Sequence, residues 1–227
     1  MNEAAWQKWF EGVWAQREEE IYRGMLGDLG PGIYAIPKTT FEKLGTSDPD
    51  PRYLTHGVFE CPPTDARPSW AYISSGMSNP WGENPETVDP RQFSGLGFEF
   101  LLQTRSQSSW AIPILHWLMA VQLLVASEVL EGHLVELDDR IELGGIIPGR
   151  GEGSAAGAGL THLIVTTPEA FGPRFELASG VVDLMQLVGI TQREWDFART
   201  QGTPALVNVL KHHAIFPFTE PARLSVL

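Results

Sequence analysis

Two stretches decide the fold: Trp70-Ala-Tyr-Ile-Ser-Ser-Gly-Met-Ser-Asn-Pro-Trp-Gly-Glu-Asn84, and Ser94-Gly-Leu-Gly-Phe-Glu-Phe-Leu-Leu102. Ser69 to Met77 and Gly97 to Gln103 read as half-buried strands, with apolar positions alternating as a two-residue period requires. Gly76, Gly95 and Gly97 punctuate the strand ends. Between the strands, Asn79 to Phe93 carries too many Pro, Gly and Asn residues for regular structure.

Upstream, Gly32 to Ile36 and Tyr53 to Cys61 are two further strand-like runs, each bounded by prolines. Before them, Trp6, Trp9, Phe10, Val13, Trp14 and Ile21 fall on one helical face, predicting an amphipathic helix over residues 3–25 that ends at Gly24 or Gly27. Its aromatic stripe reads as packing on the domain's own sheet, with docking of a partner as the alternative. Downstream, Pro113 suits the first turn of an apolar helix that runs to about Glu131. Residues 134–137 and 141–143 are candidate short strands. Seven glycines crowd Gly144 to Gly159. Leu160 to Thr167 and Phe175 to Ile190 return to β character, and short helices over 192–201 and 203–213 close the chain. The strands cluster instead of alternating with helices. The pattern therefore predicts an α+β fold: a mixed, mainly antiparallel sheet flanked by helices, in one domain over 1–227 with its core at about 30–215.

The composition is globular, with 43% hydrophobic residues and eight tryptophans in 227. Sixteen basic side chains against twenty-eight acidic ones give a formal charge of −12, which repels phosphate backbones and anionic lipid. Neither nucleic acid nor a membrane surface is an expected partner; the charge would help attract a basic one, but acidity is also the ordinary way to stay soluble, and that is the favoured reading. The apolar run from Trp110 to Ala126 is interrupted by Pro113, His116 and Gln122 and is shorter than the ~20 residues a bilayer demands. Cys61 is the single cysteine, so no internal disulfide forms, and no signal peptide is evident; both suit the cytoplasm.

Catalytic and metal signatures are missing. The glycine-dense stretch leads into a strand-like run, whereas a phosphate-binding loop must open a helix. No His falls in a metal-ligand spacing; His116 reads as a hydrogen-bonded core residue, and His212 and His213 as helix-end cations. No Gly-x-Ser-x-Gly elbow occurs, and Cys61 has no evident base. No cofactor, no metal and no enzymatic activity are expected.

The quoted stretches resemble the Suppressor of fused (SUFU) family. Trp70, Tyr72, Ile73, Ser74, Gly76, Met77, Ser78, Trp81, Gly82, Glu83 and Asn84 match the first part of its signature, and Ser94, Gly95, Gly97, Phe98, Glu99, Phe100 and Leu102 the second. Gly132-His133 matches the pair after the family's long helix. Gly180-Val-Val-Asp-Leu-Met-Gln-Leu-Val-Gly-Ile-Thr191 matches a later segment. The resemblance spans about residues 30–215. It implies a protein-binding domain. Animal SUFU proteins hold a transcription-factor peptide as an added β-strand between two lobes, and the strand carrying Tyr72 looks like the one flanking that peptide. The resemblance covers only the first lobe. Glu83 matches the acid of the family's loop, but the loop histidine has no counterpart among residues 85–93, so it does not extend to that same peptide.

Single-lobe bacterial relatives imply an immunity protein that neutralises a toxin by binding it, for which −12 favours a basic toxin domain. The alternatives are a regulatory or scaffold module acting by strand addition, or an enzyme or small-molecule sensor with an unrecognised site. Most matched residues, the glycines especially, are expected to build the fold. Tyr72, Trp81, Glu83 and Asp89 are expected to reach a partner.

Overall fold

The computed structural model describes residues 2–144 and 159–227. All but the first and last residues of the glycine-dense stretch 144–159 lie outside that range. In chain order the elements are α1 (Glu3–Ala15), a π-helical turn (Gln16–Tyr22), α2 (Arg23–Leu26), β1 (Ile33–Ala35), α3 (Lys38–Lys43), a 3-10 turn (Pro51–Thr55), β2 (Gly57–Cys61), β3 (Trp70–Ser75), β4 (Phe93–Thr104), α4 (Ala111–Ala126), β5 (Arg140–Glu142), β6 (Leu160–Thr166), β7 (Arg174–Leu177), β8 (Gly180–Thr191), α5 (Gln192–Gln201) and α6 (Thr203–His212). The strands make one sheet in the order β1-β2-β3-β4-β8-β6-β5, with β7 also paired to β8. Among the described strands β4 and β8 run parallel and the other pairs antiparallel, with an isolated parallel bridge between Gln103 and Phe218. The α+β fold with a mixed, mainly antiparallel sheet is the one expected.

Alternation along the strands divides the core in two. Tyr72, Phe100, Leu102, Leu163 and Leu187 point to one face, where α4 covers them with Leu115, Met119 and Leu123. Ala71, Ile73, Leu101 and Leu184 point to the other, where Val13, Tyr22 and Leu26 of the N-terminal helical run cover them. Further along that second face, Ile164, Val188 and Ile190 pack on Leu206 and Leu210 of α6. The apolar run 110–126 is thus a buried core helix, and no helix among the described residues is long and apolar enough to cross a membrane. His116 in it lies against the Tyr34 carbonyl, with Nε2 2.7 Å away.

Several boundaries differ from expectation for local reasons. The strand expected from Tyr53 begins only at Gly57, because Asp50 caps a 3-10 turn through the Arg52 N–H, 2.9 Å away. α4 stops at Ala126, not near 131: the Ser127 hydroxyl donates to the Leu123 carbonyl and Glu128 turns left-handed at φ +60°. Residues 134–137 form no strand; the Val135 N–H donates to the Gln122 side chain instead. The run 175–190 is a hairpin of two strands, β7 and β8.

Candidate functional site

The π-helical turn positions the first part of the site. Residues five apart on an α-helix would diverge by about 140°. The wider turn instead carries both Arg17 and Tyr22 inward, continuing the buried line from Val13 to Leu26. The Tyr22 hydroxyl donates to the Ser74 carbonyl at 2.8 Å, and burial pushes its pKa well up. Arg17, 1% exposed, donates to Ser78 Oγ at 3.1 Å and Asn79 Oδ1 at 2.7 Å.

Beneath Arg17 lies Glu99, fully buried in β4. Its carboxylate accepts from Ser74 Oγ at 2.5 Å, Ser78 Oγ at 2.7 Å, and the backbone N–H groups of Gly76 and Ser78 at 3.0 and 2.9 Å. The Arg17 guanidinium stands 3.9 Å away. A buried carboxylate is tolerated when paired and fully hydrogen-bonded, and this one is. Gly76 makes the wrap possible: it sits at φ +130°, and a Cβ there would lie 2.4 Å from the His56 ring. His56 is itself buried, and desolvation lowers its pKa to about 4, so the ring is neutral at physiological pH.

From this cradle the chain runs out into a turn-rich loop over residues 79–92. Gly95 anchors the loop's far end at φ +57°, close enough that a Cβ would meet the Asn79 carbonyl at 2.5 Å. Trp81 is half-buried. Its ring packs on Phe10 of α1 (centroids 4.3 Å apart) and on Trp6 (6.0 Å), while the Arg52 guanidinium lies 5.5 Å from its centroid. The Trp6 indole N–H donates to the Glu83 carbonyl at 2.9 Å, tying helix to loop. Glu83 accepts the Gly95 N–H at 3.0 Å on Oε1; its Oε2 and the Trp81 indole Nε1 have no hydrogen-bond partner. Burial pushes the Glu83 carboxyl above the ordinary glutamate range, against the pull of the Gly95 amide. Both residues line a cleft of about 270 Å³ with Arg52, Tyr53, His56 and Leu96. Asp89, further along, is held by its neighbour: hydrogen bonds from the Arg91 side chain and backbone lower its pKa to about 2.

Of the four residues expected to reach a partner, the structure brings Trp81 and Glu83 together on one surface cleft, and leaves Asp89 apart on the exposed loop with Arg91. Tyr72 requires a correction. It is fully buried, its hydroxyl accepts the Ser108 N–H at 2.7 Å, and burial pushes its pKa to about 12. Its strand, β3, is paired on both sides, by β2 and by β4, so it offers no free edge for strand addition. The reason is packing: even positions of β3 face α4, and a tyrosine there joins the core. The free edges of the path belong to β1 and β5, each three residues long.

The sequence reading missed the roles of Arg17 and Glu99. A lone arginine on the inward line of an amphipathic helix was the available signal. The aromatic stripe of α1 divides: Val13 enters the core, Trp9 packs at its edge, and Trp6, Phe10 and Trp14 turn toward the loop. Among the described residues no group of His, Cys, Asp or Glu is placed to hold a metal ion. Cys61 is free and buried, and desolvation raises its pKa to about 12.

A mixed sheet with one helix on its first face, and a carboxylate-wrapped turn feeding an exposed loop, defines a class of α+β domain represented among solved structures. A chain in the crystal structure of a Sufu–Fu complex superposes with a TM-score of 0.61 at 18% identity, over 95% of this chain and 92% of that one. A SUFU homolog from Neisseria gonorrhoeae superposes with a TM-score of 0.58 at 15% identity, over 97% and 98%. No curated protein sequence matches the chain significantly. The family model of the Suppressor of fused protein (SUFU) matches residues 53–224, and the chain belongs to that family.

Proposed function

We propose that this chain is a non-enzymatic protein-binding domain, and that it is an immunity protein neutralising a toxin by direct binding. One observation carries the reading. The loop that follows the signature strand sets Trp81 and Glu83 on the wall of an open cleft, beside aromatic rings left open on α1. An aromatic-walled concavity on the surface favours a partner's side chain as its occupant. Two groups of shifted pKa, Glu83 and His56, line the same cleft, and each is held by a backbone hydrogen bond of the fold. His56 lies against the Arg52 carbonyl and is neutral, and Tyr72 is closed in the core. The charge of −12 favours a basic toxin domain.

A regulatory module working by strand addition is the second reading, and among the described residues β1, β5 or β7 would have to supply the edge. Capture of the native protein from its own cells, at low and high salt, separates these. A stoichiometric basic toxin released at high salt supports immunity. A different cellular protein retained at high salt supports regulation. No partner at either salt overturns protein binding.

A further inference from the structure

The groove between α1 and the loop has a composition that selects its occupant. Trp6, Phe10, Trp14 and Trp81 wall a space of about 290 Å³, with Gln7 and Glu11 on its rim. Trp6, Phe10 and Trp14 recur every four residues, so they form one stripe along α1. The stripe is distinct from the line of Val13 and Tyr22, which the sheet already covers. Trp14 is 37% exposed.

Charge settles which chemistry suits these rings. Aromatic faces carry negative quadrupole and attract cations, tryptophan most strongly. Trp81 already has one cation near its ring, the Arg52 guanidinium, which is itself neutralised by Asp50. Around the groove the balance is acidic. From residue 2 to residue 20 the acids are Glu3, Glu11, Glu18, Glu19 and Glu20 and the bases Lys8 and the buried Arg17; with Glu19 paired to Arg23 and Glu18 held by Ser75 and Arg17, Glu3, Glu11 and Glu20 remain against Lys8. The loop over residues 79–93 carries three acids against Arg91, which is engaged by Asp89. Glu11 is exposed, and its hydrogen-bond partner is the Gln7 amide, a neutral group. An apolar occupant would leave that carboxylate uncompensated, and an acidic one would be repelled by it.

We infer that this groove takes a lysine or arginine side chain from a basic segment of the protein partner, the cation lying against the tryptophan faces and toward the Glu11 carboxylate. The inference rests on the protein-binding reading and specifies the partner's chemistry. The groove adjoins the network around Glu99 at Asn79, which lines it and accepts from Arg17.

The test follows the indole N–H signals of the 15N-labelled full chain, assigned by single Trp→Phe variants, during titration with a tetra-arginine amide and with a tetra-glutamate control. The signals of Trp6, Trp14 and Trp81 should move with tetra-arginine alone. Trp195, stacked on His162 away from the groove, should stay still. Glu11→Lys, at an exposed position, should weaken tetra-arginine binding roughly five-fold or more, and Trp14→Ala by a similar factor. The melting transition of Glu11→Lys should stay cooperative and unshifted. Uniform movement of all indoles, equal binding of tetra-glutamate, or unchanged binding by Glu11→Lys overturns the groove. The two failures can be told apart. If native protein and Glu11→Lys capture the same partner equally from cells, the groove is wrong and protein binding stands. If neither captures one, protein binding fails.

Discussion

Two glutamates from one signature have opposite fates. Glu99 is fully buried, takes four hydrogen bonds and faces a guanidinium. Glu83 keeps one backbone bond and a carboxylate oxygen with no partner, and burial has begun to raise its pKa. The first locks a strand, a turn and a helix together. The second lines an open cleft with that oxygen itself covered. A motif therefore mixes residues kept for architecture with residues available to a partner, and residue type does not separate them.

The comparison breaks first at Glu99. Glu99→Ala should remove about 5 kcal/mol, the upper end for stripping one partner from a buried charged pair. It leaves the Ser74 and Ser78 hydroxyls and two backbone N–H groups without their acceptor and removes the charge that faces Arg17. Against the 5–15 kcal/mol stability ordinary for a domain, much of the chain should unfold, measurable as a collapse of the urea midpoint. Glu99→Gln keeps some of the bonds and should cost roughly half as much. If Glu99→Ala melts like the native protein, the locked region is not what holds β3, β4 and α1 together.

Tyr72→Ala belongs with Glu99 despite the family resemblance. Emptying a fully buried aromatic site against α4 should cost about 4 kcal/mol. Tyr72→Phe loses the contact to the Ser108 N–H and should cost about 1–2 kcal/mol. Both should lower partner binding only in proportion to unfolding. A Tyr72→Phe protein that is stable but binds ten-fold more weakly would return Tyr72 to the partner surface.

His56 sharpens the contrast through pH. Its folded pKa, about 4, lies below the ~6.5 of an unfolded chain, so between those values the unfolded state binds the extra proton. The neutral ring's contribution is complete above pH ~6.5 and is lost as pH falls toward 4, about 3 kcal/mol over the window. Urea midpoints of the native protein should fall across that range by that much more than those of His56→Gln. Parallel curves would mean that the ring is not held neutral against the Gly76 turn.

How much of this was legible follows from the range of each interaction. β3, β4 and β8 announced themselves because strand periodicity is local and their glycines mark real turns. The start of α5 and its break from α6 were legible for the same reason: Thr191 and Glu194 form a capping box at the first, and Gly202 turns the chain at the second. The Glu99 cradle was not. It joins Arg17 to Ser78 across 61 residues, through a π-helical turn that leaves no periodic trace. Tyr72 was misplaced for a related reason. A resemblance reports which residue recurs, while its burial depends on what covers that face of the sheet, here α4, and the freedom of its edge on whether a second strand, here β4, pairs alongside.

The smallest effect on stability should come from Glu83, and it is the one that decides whether the open region deserves the name. Glu83→Lys removes one hydrogen bond to the Gly95 N–H and a partly desolvated carboxylate, so stability should change by less than about 1 kcal/mol. The same change places a cation near Arg52 in the shared cleft and reverses the charge offered to a basic partner. Binding of a captured basic partner should therefore drop at least ten-fold while the melting transition stays cooperative. Asp89→Asn, at an exposed carboxylate already satisfied by Arg91, should weaken it far less. If Glu83→Lys unfolds the chain, its carboxylate belongs to the architecture after all, and the two glutamates differ only in degree. If it binds as well as the native protein, the partner surface lies elsewhere, and the short edges of β1 and β5 become the next places to mutate.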